Sequence, residues 1–343
     1  MRLNWSFVAL AIASISSGAA LALKGSEIGS GVVFTADERG KSISVSNPET
    51  GKVRTTRIGI APHNVQTSND GKLLFAVGTL GDDGEMASAM ARPGRLLIFK
   101  AMSVSTGAIA DIKVGRMPAH VIVDKQNSRA FVTNGGDNSL SVVDLAQRKI
   151  IKSITVGASP HGLRLSPDAR AIYIANTGDG SVSVVSVAAM AQTARIAVGK
   201  APVQVAFTPD GRLVYVSLRD ENSMVAIDTE SLKVIAKIPV GPGPIQVFAA
   251  PDGREVYVAN QGTEAAPGNT LSVIDTASQK VVAEIITGAG AHGVVVSGNG
   301  DKVFVTNTFA DTVSVIDPSS RKVVRNIRVG AGPGGITYSP APK

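Results

Sequence analysis

Residues 157–198 read GASPHGLRLSPDARAIYIANTGDGSVSVVSVAAMAQTARIAV, and this phrase holds the plan of the whole chain. It opens on a Gly-x-x-Pro-His turn. Four short segments follow, Gly162–Ser166, Ala171–Ala175, Ser181–Ser186 and Thr193–Val198, in which apolar residues alternate with small or polar ones. A period of two is the pattern of a strand that buries side chains on its faces. Turns rich in Gly, Asp and Asn separate the segments, residue types that tolerate the tight backbone of a hairpin. The opening glycine recurs at Gly59, Gly115, Gly157, Gly199, Gly241, Gly288 and Gly330, at steps of 56, 42, 42, 42, 47 and 42 residues. Four strands repeated at a period near 42 residues predict an all-β fold, a β-propeller.

The second strand of each unit carries one aromatic: Phe34, Phe75, Phe131, Tyr173, Tyr215, Tyr257 and Phe304. A ring in one fixed phase is expected to fill the gap between twisted neighbouring blades. Counted by these strands there are seven blades. The first unit starts at its second strand, VVFTAD at 32–37, and lacks a first one. The missing strand is found at the other end of the chain, where GGITYSP at 334–340 matches HGLRLSP at 161–167. The prediction is a seven-bladed β-propeller of four-stranded antiparallel blades, its ring closed by the C-terminal strand pairing into the N-terminal blade.

The second strands read FVTN at 131–134, YIAN at 173–176, YVSL at 215–218, YVAN at 257–260 and FVTN at 304–307. In these motifs the chain resembles the YVTN-repeat family of β-propellers over about residues 31–340. The resemblance implies the fold and an exported bacterial protein. It implies little about activity. Blades 1 and 2 depart from the motif, with FTAD at 34–37 and FAVG at 75–78, and Leu218 stands where Asn is expected in blade 5.

Residues 1–22 read as a cleavable signal peptide: Arg2 as a basic start, Phe7–Ile15 as the apolar stretch and Ala20-Leu21-Ala22 as the cleavage site. The propeller is then 23–343, periplasmic or secreted, with no transmembrane segment in the mature chain. The chain has no cysteine, so no disulfide braces it and no thiolate serves as ligand or nucleophile. Its tryptophan, Trp5, lies in the signal, which argues against a WD40-type propeller. The net charge of +7 raises the question of nucleic acid or an anionic surface bound through basic flanks. Most aromatics, however, sit in core slots, so no base-stacking platform is visible and nucleic acid is the weaker reading.

In an antiparallel four-stranded blade, the second-to-third loop and the connection from the previous blade's fourth strand share one face. On that face lie the two insertions, around Thr79–Gly94 in blade 2 and Thr263–Gly268 in blade 6. The four histidines of the chain, His63, His120, His161 and His292, lie there too. Three directly follow the Pro or Ala of the turn, and His120 comes one residue later. Asn64, Gln204 and Gln246 occupy the His120 slot in other blades and are candidate ligand-binding residues. The second-to-third loops are net negative in six of the seven blades, so the basic excess lies elsewhere. Imidazoles beside acidic loops suit a divalent metal, Cu or Zn. Met86, Met90, Met102 and Met117 with Asp82, Asp83 and Glu85 would add copper-type donors. The competing reading is that the histidines brace adjacent turns. An alternative function is a lactonase-like hydrolase on the same face, with Asp137, Asp179 and Arg219 as candidate catalytic residues. The expectation is a protein that binds a small ligand, a metal or an envelope protein rather than one that catalyses.

Overall fold

The computed structural model describes residues 31–80 and 91–340. The signal-peptide reading of residues 1–22 lies outside them, as do Met86, Met90 and their acidic neighbours. Within them the chain forms seven four-stranded antiparallel sheets. The innermost strands contact one another in sequence around the ring, from blade 2 through blade 7 to the C-terminal strand and back to blade 2. That strand, Pro333–Ser339, pairs antiparallel with Val32–Asp37, as the sequence predicts.

Burial follows from this geometry. The inner three strands of each blade have a neighbouring sheet on both faces, and the second strand of blade 1, Val32–Asp37, is buried at every position. The fourth strands form the rim. In Lys149–Thr155 only Ile154 is buried. The seven aromatics are all buried and pack between sheets. Phe304, for example, joins Val295 of its own blade to Val33 and Ile336 of blade 1. The Asp-Gly turns form as their chemistry requires. At 68–71, Gly71 adopts φ +69°, and Asp70 accepts hydrogen bonds from Ser68 Oγ and the Lys72 amide.

Two sequence expectations are refined. The innermost strand of blade 4 begins at Pro160 rather than Gly162, so His161 belongs to the strand and not to the turn before it. The blade 6 insertion is in part a longer hairpin, Glu255–Gly262 against Pro267–Asp275, because its ends keep pairing beyond the usual turn.

The asparagine at or near the end of the second strand forms a repeated clamp. Asn134, Asn176, Asn260 and Asn307 are buried, and each donates Nδ2 to two hydroxyls of the third strand, such as Ser181 and Ser183 at 2.9 Å. Blade 1 has Asp37 in this slot. It accepts from Thr35, Ser42 and Ser44, and burial pushes its pKa up to about 6 despite those bonds. A folded-state pKa above the unfolded value favours the protonated form. Its stabilising contribution is complete below about pH 4 and is lost as pH rises through about 6. Asp37→Asn removes the buried charge and restores the clamp of the other blades. It is expected to stabilise the protein by about 1–3 kcal/mol at pH 7.5 and by almost nothing at pH 4. Denaturant unfolding at the two pH values checks this, and an equal effect at both would refute it.

Candidate metal centre

The four histidines arrive at the channel mouth on innermost strands, and the arrival depends on a backbone irregularity. In blade 4, Pro160 pairs with Asn176 and Leu163 with Ile174, so the inner strand holds one extra residue. The same bulge recurs between Pro118 and Val121 and between Ala291 and Val294, and blade 2 has its own shift between Pro62 and Asn64. In a regular strand, consecutive side chains point to opposite faces. A bulge re-aims them. His120 therefore meets His161 although it stands one residue later in its repeat. Their ring centroids lie 5.0 Å apart.

His63 sits between the others, with centroids 5.0 Å from His161, 5.9 Å from His120 and 6.4 Å from His292. One ring nitrogen from each of His63, His120 and His161 falls within 4.8 Å of the other two. His63 Nε2 and His161 Nε2 are 3.0 Å apart. Each ring bonds through its other nitrogen elsewhere. His161 Nδ1 donates to the Val203 carbonyl at 3.1 Å, and His63 Nδ1 lies 3.3 Å from Glu38 Oε2. With both Nδ1 atoms protonated, two lone pairs face each other. That contact needs a cation between them, either a proton on His63 or an ion.

The remaining nitrogens extend the pattern. His120 Nε2 and His292 Nδ1 are buried without a hydrogen-bond partner among the described residues. Gln204 faces His120 Nδ1 at 3.4 Å. Gln204 presents its amide nitrogen to the ring, because its Oε1 accepts from the Val205 amide at 2.9 Å. Burial, then the neighbouring imidazoles, hold His120 and His161 well below the usual histidine range, and burial brings His292 to about 4. These rings are neutral at pH 7. Burial also opposes charge on His63, but the Glu38 carboxylate outweighs it and raises that ring. Glu38 is lowered in turn, because His63 outweighs its own desolvation.

The other candidates fall in two groups. Asn64 and Gln204 are buried beside the cluster and also brace backbone, through bonds from the Val121 and Val205 amides. Gln246 is buried with Nε2 unpartnered. Asp137 and Asp179 brace the turns of the same face. Asp137 accepts from the Arg116 amide and guanidinium, and Asp179 from the Ala158 amide, Ser181 and Arg195. Glu221 holds the equivalent turn of blade 5 in the same way, through the Lys200 amide, whereas Asp311 accepts from the Gly332 amide in the turn that leads to the inner strand of blade 1. Arg219 pairs with Asp220 and lies near enough to His161 to lower it. Met102 packs against the core between blades 1 and 2, and Met117 is exposed. Glu38 is the site residue that sequence reasoning missed. It is in the blade 1 loop, where it counts only as one charge among several.

A family model described as the cytochrome D1 heme domain matches residues 19–245, and one described as a YNCE-like beta-propeller matches 210–298. No curated protein sequence matches the chain. Among solved structures, the chain resembles a hydrazine synthase chain from Kuenenia stuttgartiensis at 19% identity and TM-score 0.69, covering 83% of this chain and 96% of that one. A functionally unknown protein from Desulfotomaculum acetoxidans superposes at 17% identity and TM-score 0.74, covering 90% and 99%. A putative 6-phosphogluconolactonase from Bacteroides fragilis does so at 15% and 0.73, covering 91% and 98%. At these identities the likeness is one of fold alone.

The first family description implies a haem, which the residues at the channel mouth do not fit. A haem iron is held by an axial ligand such as histidine, over the plane of a wide macrocycle that needs open space beside the ring. Two Nε2 atoms 3.0 Å apart leave no room for that plane, and four rings at 5.0–6.4 Å leave none for its width. The donor set converges on a point.

Proposed function

The chain belongs to the cytochrome D1 heme domain family, and from that premise we propose that it is an exported binding protein whose propeller holds one divalent transition-metal ion at the channel mouth. The ligands are His63, His120 and His161; His292 stands outside this convergent group, its ring centroid 6.4 Å from that of His63. The observation that carries this reading is the convergence of ring nitrogens, with His63 Nε2 and His161 Nε2 3.0 Å apart and a His120 nitrogen within 4.8 Å of both, while both Nδ1 atoms of the close pair are engaged elsewhere. Ligating histidines ordinarily bond a carboxylate or carbonyl through the second nitrogen, which fixes the tautomer. Glu38 and Val203 fill these roles. A tetrahedral ion with bonds of about 2.0–2.1 Å holds its nitrogens about 3.3 Å apart, so small ring movements suffice. Imidazole without thiolate suits Zn²⁺ or Cu²⁺. Export rests on the N-terminal pattern. Among the described residues, no helix is long and apolar enough to cross a membrane. The hydrolase reading gains no support from Asp137 and Asp179, whose carboxylates are engaged in turn bracing.

Chelator-treated protein titrated with Zn²⁺ and Cu²⁺ in a calorimeter is expected to bind one equivalent of at least one of them, with a rise in melting temperature. Absence of binding by both ions would end the metal reading.

A further inference from the structure

The opposite end of the channel carries a second feature, independent of the histidines. A cavity of about 480 Å³ opens between the lower ends of the innermost strands. Two of its lining residues are cations, Arg164 and Lys125, and none is acidic. Arg164 lies three residues below His161 on the same inner strand, Pro160–Leu165. Among the described residues its guanidinium makes one hydrogen bond, Nη1 to the Leu163 carbonyl, and stacks 5.8 Å from the centre of the Phe248 ring. Among those residues no carboxylate pairs with it. A guanidinium has five N–H donors, and Arg164, partly buried in the channel wall, spends one of them on that carbonyl. Burial has pulled its pKa down to about 10, with no neighbouring charge contributing.

The remaining wall is amphipathic. Gln66 and Thr337 offer amide and hydroxyl groups, whereas Ile122, Val295 and Ile336 join Phe248 in an apolar belt. A volume of this size suits a small organic ligand. We infer that the lower channel is a binding site for a small organic carboxylate with an apolar body, its carboxylate held by the Arg164 fork and its chain lying against Phe248 and the aliphatic belt. The planar guanidinium matches a carboxylate bidentately, and Lys125 at the rim adds attraction for an incoming anion. The site stands whether or not an ion occupies the upper mouth.

The test titrates the chelator-treated full chain with octanoate, 1-octanol and inorganic phosphate at low salt. Octanoate is expected to bind best. Arg164→Gln should weaken it by about tenfold or more, and Lys152→Gln, which removes a cation from the exposed rim strand of blade 3, should leave it unchanged. Gln66→Glu adds an acid to the same wall and should also weaken it, which keeps the test alive if Arg164→Gln fails to fold. The assignment is overturned if octanoate does not bind, or if Arg164→Gln and Gln66→Glu bind it as well as wild type. It also fails if octanol or phosphate binds equally well, since then either the charge or the apolar wall plays no part.

Discussion

His161→Ala is expected to lower affinity for Zn²⁺ or Cu²⁺ by more than about 100-fold while leaving the propeller folded. His161 supplies the nitrogen 3.0 Å from His63 Nε2, and its ring centroid lies 5.0 Å from those of both His63 and His120. Its removal takes one donor from the three that converge and leaves a gap between the other two. The fold depends little on the imidazole. The contact that ties this residue to blade 3 is its backbone carbonyl, which accepts from Thr133 Oγ at 2.6 Å and survives the substitution. The lost bond from Nδ1 to Val203 is a single neutral hydrogen bond, about 1 kcal/mol. A graded comparison sharpens the test. Glu38→Gln leaves all the ligands in place and weakens only the support behind His63, so it should fall in the range of about 10–100-fold. If the histidines merely brace adjacent turns, His161→Ala will bind either metal as wild type does, and its effect will show in melting temperature alone. Elemental analysis and calorimetry on the two variants, with circular dichroism as the folding control, decide between these outcomes.

How much of this was legible in the sequence varied with the range of the interaction. The aromatic slots, the Asp-Gly turns and the closing strand were readable because each is set by local periodicity, repeated until chance is excluded. Phe34 and Phe304 are 270 residues apart, yet the same phase buries both. The channel mouth was half legible. The repeat places four histidines at one end, but His120 stands one residue out of phase. A regular strand would point it away from His161. The bulge that turns it back is a backbone feature with no residue type of its own in this chain, since its two residues are His161-Gly162, Ala119-His120 and His292-Gly293 in the three blades. Glu38 was illegible for a different reason. Its partner is 25 residues away on the next blade, and nothing local marks it among the charges of its loop. Arg164 was hidden in a strand whose alternation explains every other residue. Only the absence of a carboxylate around it is informative, and an absence of that kind belongs to three dimensions.

Deleting residues 333–343 is expected to abolish cooperative folding of the whole ring, not merely to fray its end. The strand Pro333–Ser339 is the innermost strand of blade 1, pairing Val33 with Tyr338, Phe34 with Thr337 and Thr35 with Ile336. It also packs against the inner strands of blades 2 and 7. Without it, blade 1 keeps three strands and turns a bare edge toward the channel, where unpaired amides and carbonyls invite association with other chains. On the blade 7 side, Phe304 loses the Tyr338 ring stacked 5.6 Å away, and Val33 and Val295 lose Ile336. Burial of Ile336 contributes about 1.5–3 kcal/mol and the half-buried Tyr338 adds to it, before the ladder of backbone bonds is counted. A whole domain has only about 5–15 kcal/mol of net stability. The loss is therefore comparable to everything that holds the protein folded. The upper mouth suffers too, because the backbone at Gly334 and Gly335 lies against His292, His63 and Asn64. The truncated chain should elute as aggregate and lack a sharp thermal transition, and a synthetic peptide of residues 333–343 should partly restore both. A monomeric truncation melting within a few degrees of wild type would mean that the seven blades stand as independently stable sheets and that closure adds little.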